Sequence, residues 1–186
     1  ENSEILVKGK TVMSGYYNKP AENEKAFTED GYFRTGDAGR MEGNTLFFTE
    51  RIKDLYKTSN GKYIAPQAIE MVMSGDQYIE QIAVIGDQRK FVSALIVPAY
   101  SLLEKYAEEK GLAVGSREEL VRNKEVLRLI ETHIEENQKN LASYEKIKRF
   151  TLLSEPFTMG SELTDTLKLR RSVILKKYAD SIEKMY

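Results

Sequence analysis

An aspartate and an arginine, Asp37 and Arg51, are the residues of this chain whose types and spacing most clearly suggest chemistry. Asp37 follows Thr35 and Gly36, which predicts a turn, and a strand-like run over 45–49 separates it from Arg51. A carboxylate can accept hydrogen bonds from two hydroxyl groups at once, and a guanidinium binds phosphate oxygens with two parallel donors. The pair would therefore suit a nucleotide, although the same pattern also fits a surface hairpin with solvated charges.

The elements that must position this pair are β-rich up to about residue 50. Strand-like runs at 5–7 and 45–49 are separated by turn residues, and a short helix is expected from Pro20 to Phe27. No second half of a large core is visible in this part of the sequence.

The middle of the chain predicts a hairpin followed by a helix and two strands. Asn60 and Gly61 predict the hairpin turn, because both residues accept positive φ. Pro66 stands where the first position of a helix belongs. Two runs of nearly continuous apolar residues, 82–86 and 92–97, are typical of central strands.

After Pro98 the chain is expected to be mainly helical. Ser101 and Ser116 each precede a glutamate by three residues, which is a capping-box pattern. One apolar stripe predicts a longer helix and contains Val126, Ile130, Ile134 and Leu141. A strand near 150–153 and a final helix over about 169–185 complete an α+β arrangement with helices packed on a small sheet.

The composition excludes several classes of function. The length of 186 residues predicts one or two domains, and the 28 Lys and Arg nearly balance the 29 Asp and Glu, so no net field favours nucleic acid. Without cysteine there is no disulfide, thiolate nucleophile or zinc–cysteine site. The single histidine, His133, lies beside the apolar stripe and is expected to be a packing residue, which leaves no material for a histidine triad or a metal cluster.

Neither a membrane span nor a secretion signal is expected. No run approaches the ~20 apolar residues of a spanning helix, and the N-terminus lacks the charged-then-apolar layout of a signal peptide. We therefore expect a soluble, cytoplasmic protein, for which peripheral contact with a membrane stays open.

A series of short motifs runs through nearly the whole chain: Glu4–Gly9 with Gly15–Tyr17, Phe33–Asp37, Arg51–Lys57, Gly61, Ile69–Glu70 and Thr164–Arg171. In this order they resemble the late core motifs of adenylate-forming enzymes, the superfamily of acyl-CoA synthetases, luciferases and peptide-synthetase adenylation domains. The run Gly61–Pro66 and the Thr166-Leu167-Lys168 form are similar to the long-chain fatty acyl branch, although Leu167 stands where the family often has glycine.

The resemblance implies a division into two parts and a nucleotide site. Residues 1–52 would be the β-rich C-terminal part of the large adenylation domain. Residues 53–186 would be the small C-terminal lid domain, with a β-hairpin and a short mixed sheet packed by helices. Asp37 would bond both ribose hydroxyls of ATP and of the acyl-adenylate, and Arg51 would contact the ribose and phosphate side of the nucleotide.

The resemblance also implies roles at the hinge and in the small domain. Lys53 occupies the hinge position about which this domain rotates, with Asp54 as the alternative one residue on. Lys168 would stabilise the negative charge that gathers at the α-phosphate during adenylation, although a solvated lysine in a basic helix start fits the residues as well. Gly61 and Lys62 would line the passage for the pantetheine of coenzyme A.

The expected parent enzyme joins a long-chain fatty acid to CoA through an acyl-adenylate, and releases AMP and pyrophosphate. It would use ATP, Mg²⁺ held mainly by the nucleotide phosphates, and coenzyme A as co-substrate. The family's phosphate loop, adenine motif and acyl pocket would all precede this chain, so we expect a C-terminal fragment, inactive alone, that needs the missing N-terminal domain. The alternatives are an acyl-carrier-protein ligase fragment and a free-standing non-catalytic binding module.

Overall fold

The computed structural model describes residues 3–113 and 115–186, which divide into two compact units, one ending at Leu55 and the other beginning at Tyr56. Strands and helices alternate along the chain and the sheets are small, which confirms the α+β class. The boundary expected between residues 52 and 53 stays a prediction about the parent enzyme.

The first unit is built on an antiparallel sheet in the order β1-β2-β3. It contains β1 (Glu4–Val7), α1 (Pro20–Ala26), β2 (Phe33–Glu42), β3 (Thr45–Arg51) and a 3₁₀ helix (Ile52–Asp54). The turn expected at Asp37 is wrong, because Asp37 lies inside the central strand β2. The strand is irregular here, since Gly36 has φ at +71° and the pairing of β2 with β3 shifts register between Ala38 and Gly39.

The second unit combines a two-stranded hairpin with a three-stranded sheet and several helices. Its elements are β4 (Tyr56–Lys57), β5 (Tyr63–Ile64), α2 (Pro66–Met73), β6 (Ile79–Ile85), β7 (Val92–Pro98), α3 (Tyr100–Glu109), α4 (Arg117–Leu120), α5 (Lys124–Asn137), β8 (Ile147–Leu152), α6 (Arg171–Lys177) and α7 (Ala179–Glu183). β6 pairs with β7 antiparallel and β8 pairs with β7 parallel, so the sheet is mixed.

The strand β7 is the centre of the second unit's core. It is buried along its whole length, and the described buried apolar residues around it come from both neighbouring strands and from the packed helices. The sequence also predicts a central position for β6, but this strand lies at an edge of the sheet. Its apolar run is explained by α2, which packs against it. No helix in the described part of the chain is long and apolar enough to cross a membrane.

The longer helix ends sooner than its apolar stripe predicts. α5 stops at Asn137, so Leu141 lies beyond it. The buried side chain of Gln138 accepts a hydrogen bond from the amide of Ile147 (2.8 Å) and donates to the Ile147 carbonyl (3.4 Å). This side chain therefore couples the end of α5 to the start of β8.

Two predicted helix boundaries are also corrected. Ser101 does not cap α3, which begins one residue earlier at Tyr100, whereas Ser116 does cap α4 and accepts from the amide of Glu119. The final helix is broken at Tyr178 into α6 and α7, because this residue has non-helical dihedral angles.

His133 is more than a packing residue, since its Nδ1 lies 2.8 Å from the Asp76 carboxylate.

Candidate functional site

Asp37 and Arg51 are brought together by the pairing of β2 with β3. They are direct cross-strand partners, and the Arg51 Nε lies 3.4 Å from the Asp37 Oδ1. This oxygen is buried and accepts no hydrogen bond from the residues that the structure describes. Its contact with Arg51 is therefore an ion pair that lacks hydrogen-bond geometry. The Asp37 side chain as a whole keeps 30% of its surface exposed, so the carboxylate group is still open to a hydroxyl group of a ligand.

The backbone around Asp37 is held by hydrogen bonds from β1. The Thr35 hydroxyl accepts a hydrogen bond from the Asp37 amide (3.1 Å) and donates one to the Ile5 carbonyl (2.8 Å). Glu4 accepts from the Gly36 amide through Oε1 (3.2 Å) and from the Arg34 guanidinium through Oε2 (3.0 Å). This role of Glu4 is not predictable from the sequence, because 32 residues separate it from Gly36 and no local pattern links the two.

Gly39 allows β2 to pass closely between its neighbours just after Asp37. A Cβ atom at this position would lie 2.8 Å from the Ile5 Cδ1 and 2.8 Å from the Phe47 carbonyl oxygen. A side chain here would therefore push β1 or β3 away from β2. Because Asp37 and Arg51 face each other across β2 and β3, this glycine helps to preserve their separation.

Lys53 lies in the middle of the 3₁₀ helix Ile52–Asp54, and its side chain is exposed. The helix is a single turn that closes with a hydrogen bond from the Leu55 amide to the Ile52 carbonyl (3.2 Å). Short 3₁₀ segments have poorer hydrogen-bond geometry than α-helices, and they are common as connectors between other elements. The division between the two units follows directly after Leu55.

Gly61 and Lys62 lie in the turn of the β4–β5 hairpin, as the sequence predicts. Gly61 has φ at +77°, and the turn is closed around Thr58, whose hydroxyl accepts from the Lys62 amide (3.1 Å) and whose amide donates to the Lys62 carbonyl (2.9 Å). Thr58 is buried, so the hairpin turn is anchored to the second unit.

The Lys62 side chain borders a basic cavity of about 170 Å³ within the second unit. Its lining includes Lys62, Lys90, Lys146, Lys148, Phe91 and Tyr144. Four lysine residues in the lining of one cavity favour an anionic ligand, and the two aromatic residues offer apolar surface beside it. Lys62, whose Nζ lies 5.8 Å from the centroid of the Tyr144 ring, belongs to both the hairpin turn and the cavity.

Lys168 lies in an exposed loop just before α6. The loop closes on itself, because the Thr164 hydroxyl accepts from the Lys168 amide (3.1 Å) and the Thr164 amide donates to the Lys168 carbonyl (2.9 Å). Leu167 has φ at +60°, a left-handed conformation that is unfavourable for residues with a Cβ atom. The backbone therefore requires at position 167 the conformation that glycine adopts most readily.

A partly buried ion pair fixes the end of the Lys168 motif. Arg171 makes a two-pronged contact with Glu70 (2.8 and 2.9 Å), and it also donates to the hydroxyl of Tyr56 (3.2 Å). Glu70 in turn accepts from the Val84 amide (2.8 Å). Burial opposes the charge of Arg171, but the hydrogen bonds and charge of Glu70 outweigh it and raise the pKa of the guanidinium. One side chain thus links α6, α2 and the first strand of the hairpin.

The predicted site residues fall into two groups. Asp37, Arg51 and Lys53 belong to the first unit, where Asp37 and Arg51 are in contact. The second unit holds Gly61 and Lys62 on one turn and Lys168 on a separate loop. The Arg171–Glu70 pair was not predicted, because 101 residues separate its members and sequence spacing does not reveal so distant a contact.

The comparison with protein-family models identifies the second unit. Residues 53–186 match the family described as "AMP-binding enzyme C-terminal domain". The chain therefore belongs to this family, whose model covers more than half of its length.

Curated proteins and solved structures resemble the chain over nearly its whole length. The chain is 32% identical to the long-chain-fatty-acid–CoA ligase FadD15 of Mycobacterium tuberculosis and 34% identical to long-chain-fatty-acid–CoA ligase 1 of Homo sapiens, covering 100% and 98% of this chain but only 31% and 27% of the relatives. The adenylation domain of a carboxylate reductase from Mycobacterium chelonae has a TM-score of 0.71 at 29% identity, with coverage of 98% of this chain and 27% of that one. The corresponding domain from Segniliparus rugosus, solved with AMP and a carboxylic acid, has a TM-score of 0.70 at 26% identity, with coverage of 98% and 28%. The chain thus spans about a third of the length of the curated relatives it matches.

Proposed function

We propose that this chain is the C-terminal part of an AMP-forming long-chain fatty acid–CoA ligase. The observation that carries the proposal is the ion pair of Asp37 with Arg51 across β2 and β3, in a chain that aligns over nearly its full length with such ligases. The partly exposed carboxylate of Asp37 can accept hydrogen bonds from the hydroxyl groups of a ribose. Arg51, whose side chain is largely exposed, is free to turn its remaining donors toward a phosphate.

The proposed reaction has two steps. The fatty acid carboxylate attacks the α-phosphate of ATP, which forms the acyl-adenylate and releases pyrophosphate. The thiol of CoA then attacks the acyl carbon, which forms the thioester and releases AMP. Lys168 acts in the first step, where an ammonium group stabilises the charge that builds up around the α-phosphate. Mg²⁺ would be held mainly by the nucleotide phosphates and by an acid outside this chain.

Lys53 is proposed as the pivot between the two steps. The assignment of residues 1–52 to the large adenylation domain and of 53–186 to the small domain puts this residue at the connection. Its location in a single 3₁₀ turn, with an exposed side chain, supports the role, because the backbone there can change φ and ψ without breaking a packed core.

The passage for CoA is proposed to run past Gly61 and Lys62. The basic cavity that Lys62 borders supports a CoA acceptor, because CoA carries several phosphate groups and four lysines surround this space. Lysines that served only as solvated surface charges would not need to line a common cavity. Gly61 leaves open space beside the hairpin turn, since a Cβ atom at this position would meet no described protein atom within 4 Å.

The test of the proposed function uses the full-length enzyme that contains this chain. With ATP, Mg²⁺ and a long-chain fatty acid, we expect pyrophosphate release, and addition of CoA should yield acyl-CoA and AMP. Absence of fatty-acid-dependent pyrophosphate release would overturn the proposal. An acyl-carrier protein offered in place of CoA tests the alternative acceptor, since acyl transfer to the carrier but not to CoA would assign the chain to an acyl-carrier-protein ligase.

The isolated chain of 186 residues serves as the second arm of this test. We expect it to show no turnover with ATP, fatty acid and CoA, because the proposed phosphate loop and acyl pocket lie outside it. Turnover by the isolated chain would contradict its role as a C-terminal part. An active full-length enzyme would at the same time exclude the free-standing binding module.

A further inference from the structure

Glu162 is a fully buried carboxylate that the proposed reaction does not use. None of its surface is exposed, and both of its oxygens accept hydrogen bonds. Oε2 accepts from the amide (3.2 Å) and the hydroxyl (3.3 Å) of Thr158, while Oε1 accepts from the Tyr178 hydroxyl (3.3 Å) and from the ammonium group of Lys177. A buried charge is tolerated only when it is paired and hydrogen-bonded, and Glu162 meets both conditions.

The charge of Glu162 is maintained over the whole neutral range. Burial alone would raise the pKa of this carboxyl, but the hydrogen bonds from Lys177 and from the Thr158 amide outweigh it and lower the pKa to about 2. The hydrogen bond from Glu162 in turn raises the pKa of Lys177. The ion pair between the two side chains links the Glu162 loop to α6.

The backbone of Glu162 closes the loop that contains Lys168. Its carbonyl accepts from the Arg170 amide (2.7 Å), and the next residue, Leu163, forms single β-bridges with Met159 and Leu169. The self-closed turn from Thr164 to Lys168 lies between Leu163 and Leu169, the two residues of the second bridge. The internal bonds of this turn fix its shape, but its orientation on the second unit depends on the anchors at its two ends.

We propose that Glu162 is a positioning residue for Lys168. Its carboxylate ties one end of the loop to Thr158 and to α6, and its carbonyl holds the other end at Arg170, so that the ammonium group of Lys168 is presented in one direction. This inference rests on the proposed role of Lys168 in adenylation. A residue that served stability alone would affect both half-reactions together.

The test replaces Glu162 in the full-length enzyme by Glu162→Gln, which keeps the shape and removes the charge. A displacement of a catalytic group by about 1 Å can lower a rate about 100-fold. We therefore expect the rate of pyrophosphate release to fall about 10- to 100-fold, with the KM for ATP changed less than about threefold. CoA attack on supplied acyl-adenylate should stay within about twofold of the original enzyme. The matched control is Glu183→Gln, which removes a different glutamate ion pair of the second unit, with Arg89 at 3.1 Å, that makes no hydrogen bond to the loop within the described part of the chain and should leave both half-reactions unchanged.

A second measurement reads the anchoring without any catalysis. Hydrogen exchange of the amides over 163–170 should speed up at least about tenfold in Glu162→Gln, while the amides of β7 keep their protection. If Glu162→Gln does not fold, Lys177→Gln replaces it, because the Lys177 side chain is half exposed and its removal leaves Glu162 with its other donors.

The outcomes separate this inference from the proposed function. Equal loss of both half-reactions, or unchanged exchange over 163–170, would overturn the positioning role even in an active ligase. If the original enzyme shows no ligase activity, the proposed function fails and the link to adenylation fails with it. Faster exchange in the variant would then still establish Glu162 as the anchor of the loop.

Discussion

The side chain of Lys168 is exposed at the end of a small closed turn, so its contribution can be removed without opening the core. We predict that Lys168→Ala in the full-length enzyme lowers pyrophosphate release about 100- to 1,000-fold, the usual effect of deleting one preorganised charge-stabilising group. CoA attack on supplied acyl-adenylate should stay nearly unchanged, because the α-phosphate is no longer the reacting centre in that step. Rapid-quench measurements of the two half-reactions check this.

The control for Lys168→Ala is Lys176→Ala, which removes an exposed lysine of α6 with the same charge. It should leave both half-reactions unchanged. A matching loss in both variants would mean that the overall basic charge of this region matters and that Lys168 has no particular role.

Leu167 adopts a left-handed conformation that costs a residue with a Cβ atom about 1–2 kcal/mol. Glycine removes this strain but loses about 0.5–1 kcal/mol through its freer unfolded chain. We therefore predict that Leu167→Gly leaves the free energy of unfolding unchanged or raises it by up to about 1.5 kcal/mol, as measured by urea unfolding of the chain.

A matched substitution at a regular helical position should behave differently. Leu175 is also an exposed leucine, but it lies inside α6, where glycine lowers stability by about 1 kcal/mol. Equal destabilisation by Leu167→Gly and Leu175→Gly would contradict the assigned strain. Leu167→Val should be the least stable of the loop variants, because a β-branched residue tolerates positive φ poorly.

At the scale of residues, local chemistry was predictable and long-range contact was not. Asn60 and Gly61 signal their turn directly, because positive φ depends on the residue itself. Glu162 and Arg171 carry no such signal, since their partners come from other elements and a charged residue in a polar sequence normally predicts exposure. The strain at Leu167 is signalled only by the family resemblance, in which glycine often stands at this position, because a leucine by itself does not indicate a left-handed backbone.

The 3₁₀ helix Ile52–Asp54 is the element on which the proposed rotation depends. Proline at position 53 fixes φ near −65° and removes the backbone donor. We predict that Lys53→Pro in the full-length enzyme spares pyrophosphate release but lowers thioester formation at least about tenfold, because the second step needs a different backbone conformation at the pivot. Stopped-flow or rapid-quench assays of both steps measure the split.

Lys53→Ala provides the comparison for the proline variant. It removes the exposed side chain and leaves the backbone free, so both steps should proceed at about the original rate. Unchanged thioester formation in Lys53→Pro would show that Lys53 is not the hinge residue, and Asp54 would then be the candidate for this role.

Elements with regular periodicity were predicted well, and their edges were not. β7 and α2 follow from a continuous apolar run and from Pro66 with an apolar face, which are strong local signals. The break at Tyr178 and the end of α5 at Asn137 arise from tertiary contacts. Tyr178 donates to the buried Glu162, and Gln138 bonds the backbone of β8, so packing ends helices that the apolar pattern would continue.

The two units of the molecule differ sharply in how much apolar surface they bury. Ala38 is the one buried apolar residue of the first unit among the described residues, and large side chains such as Leu46, Phe47 and Phe48 are exposed. The second unit encloses a continuous core around β7. A unit that has its own hydrophobic core has what a domain needs to fold independently.

We therefore predict that a chain of residues 56–186 folds without the first unit. Its thermal midpoint should lie within about 5 °C of that of the whole chain, which corresponds to a difference of roughly 1 kcal/mol in a domain of this size. Circular dichroism melts and dispersed amide NMR spectra test this. The complementary piece of residues 1–55 should give neither a cooperative melt nor dispersed amides, because its exposed apolar residues have too little core to stabilise them. A cooperative transition in that short piece, or an unfolded 56–186 chain, would show that the stability of the molecule is shared between the units and does not reside in the β7 core.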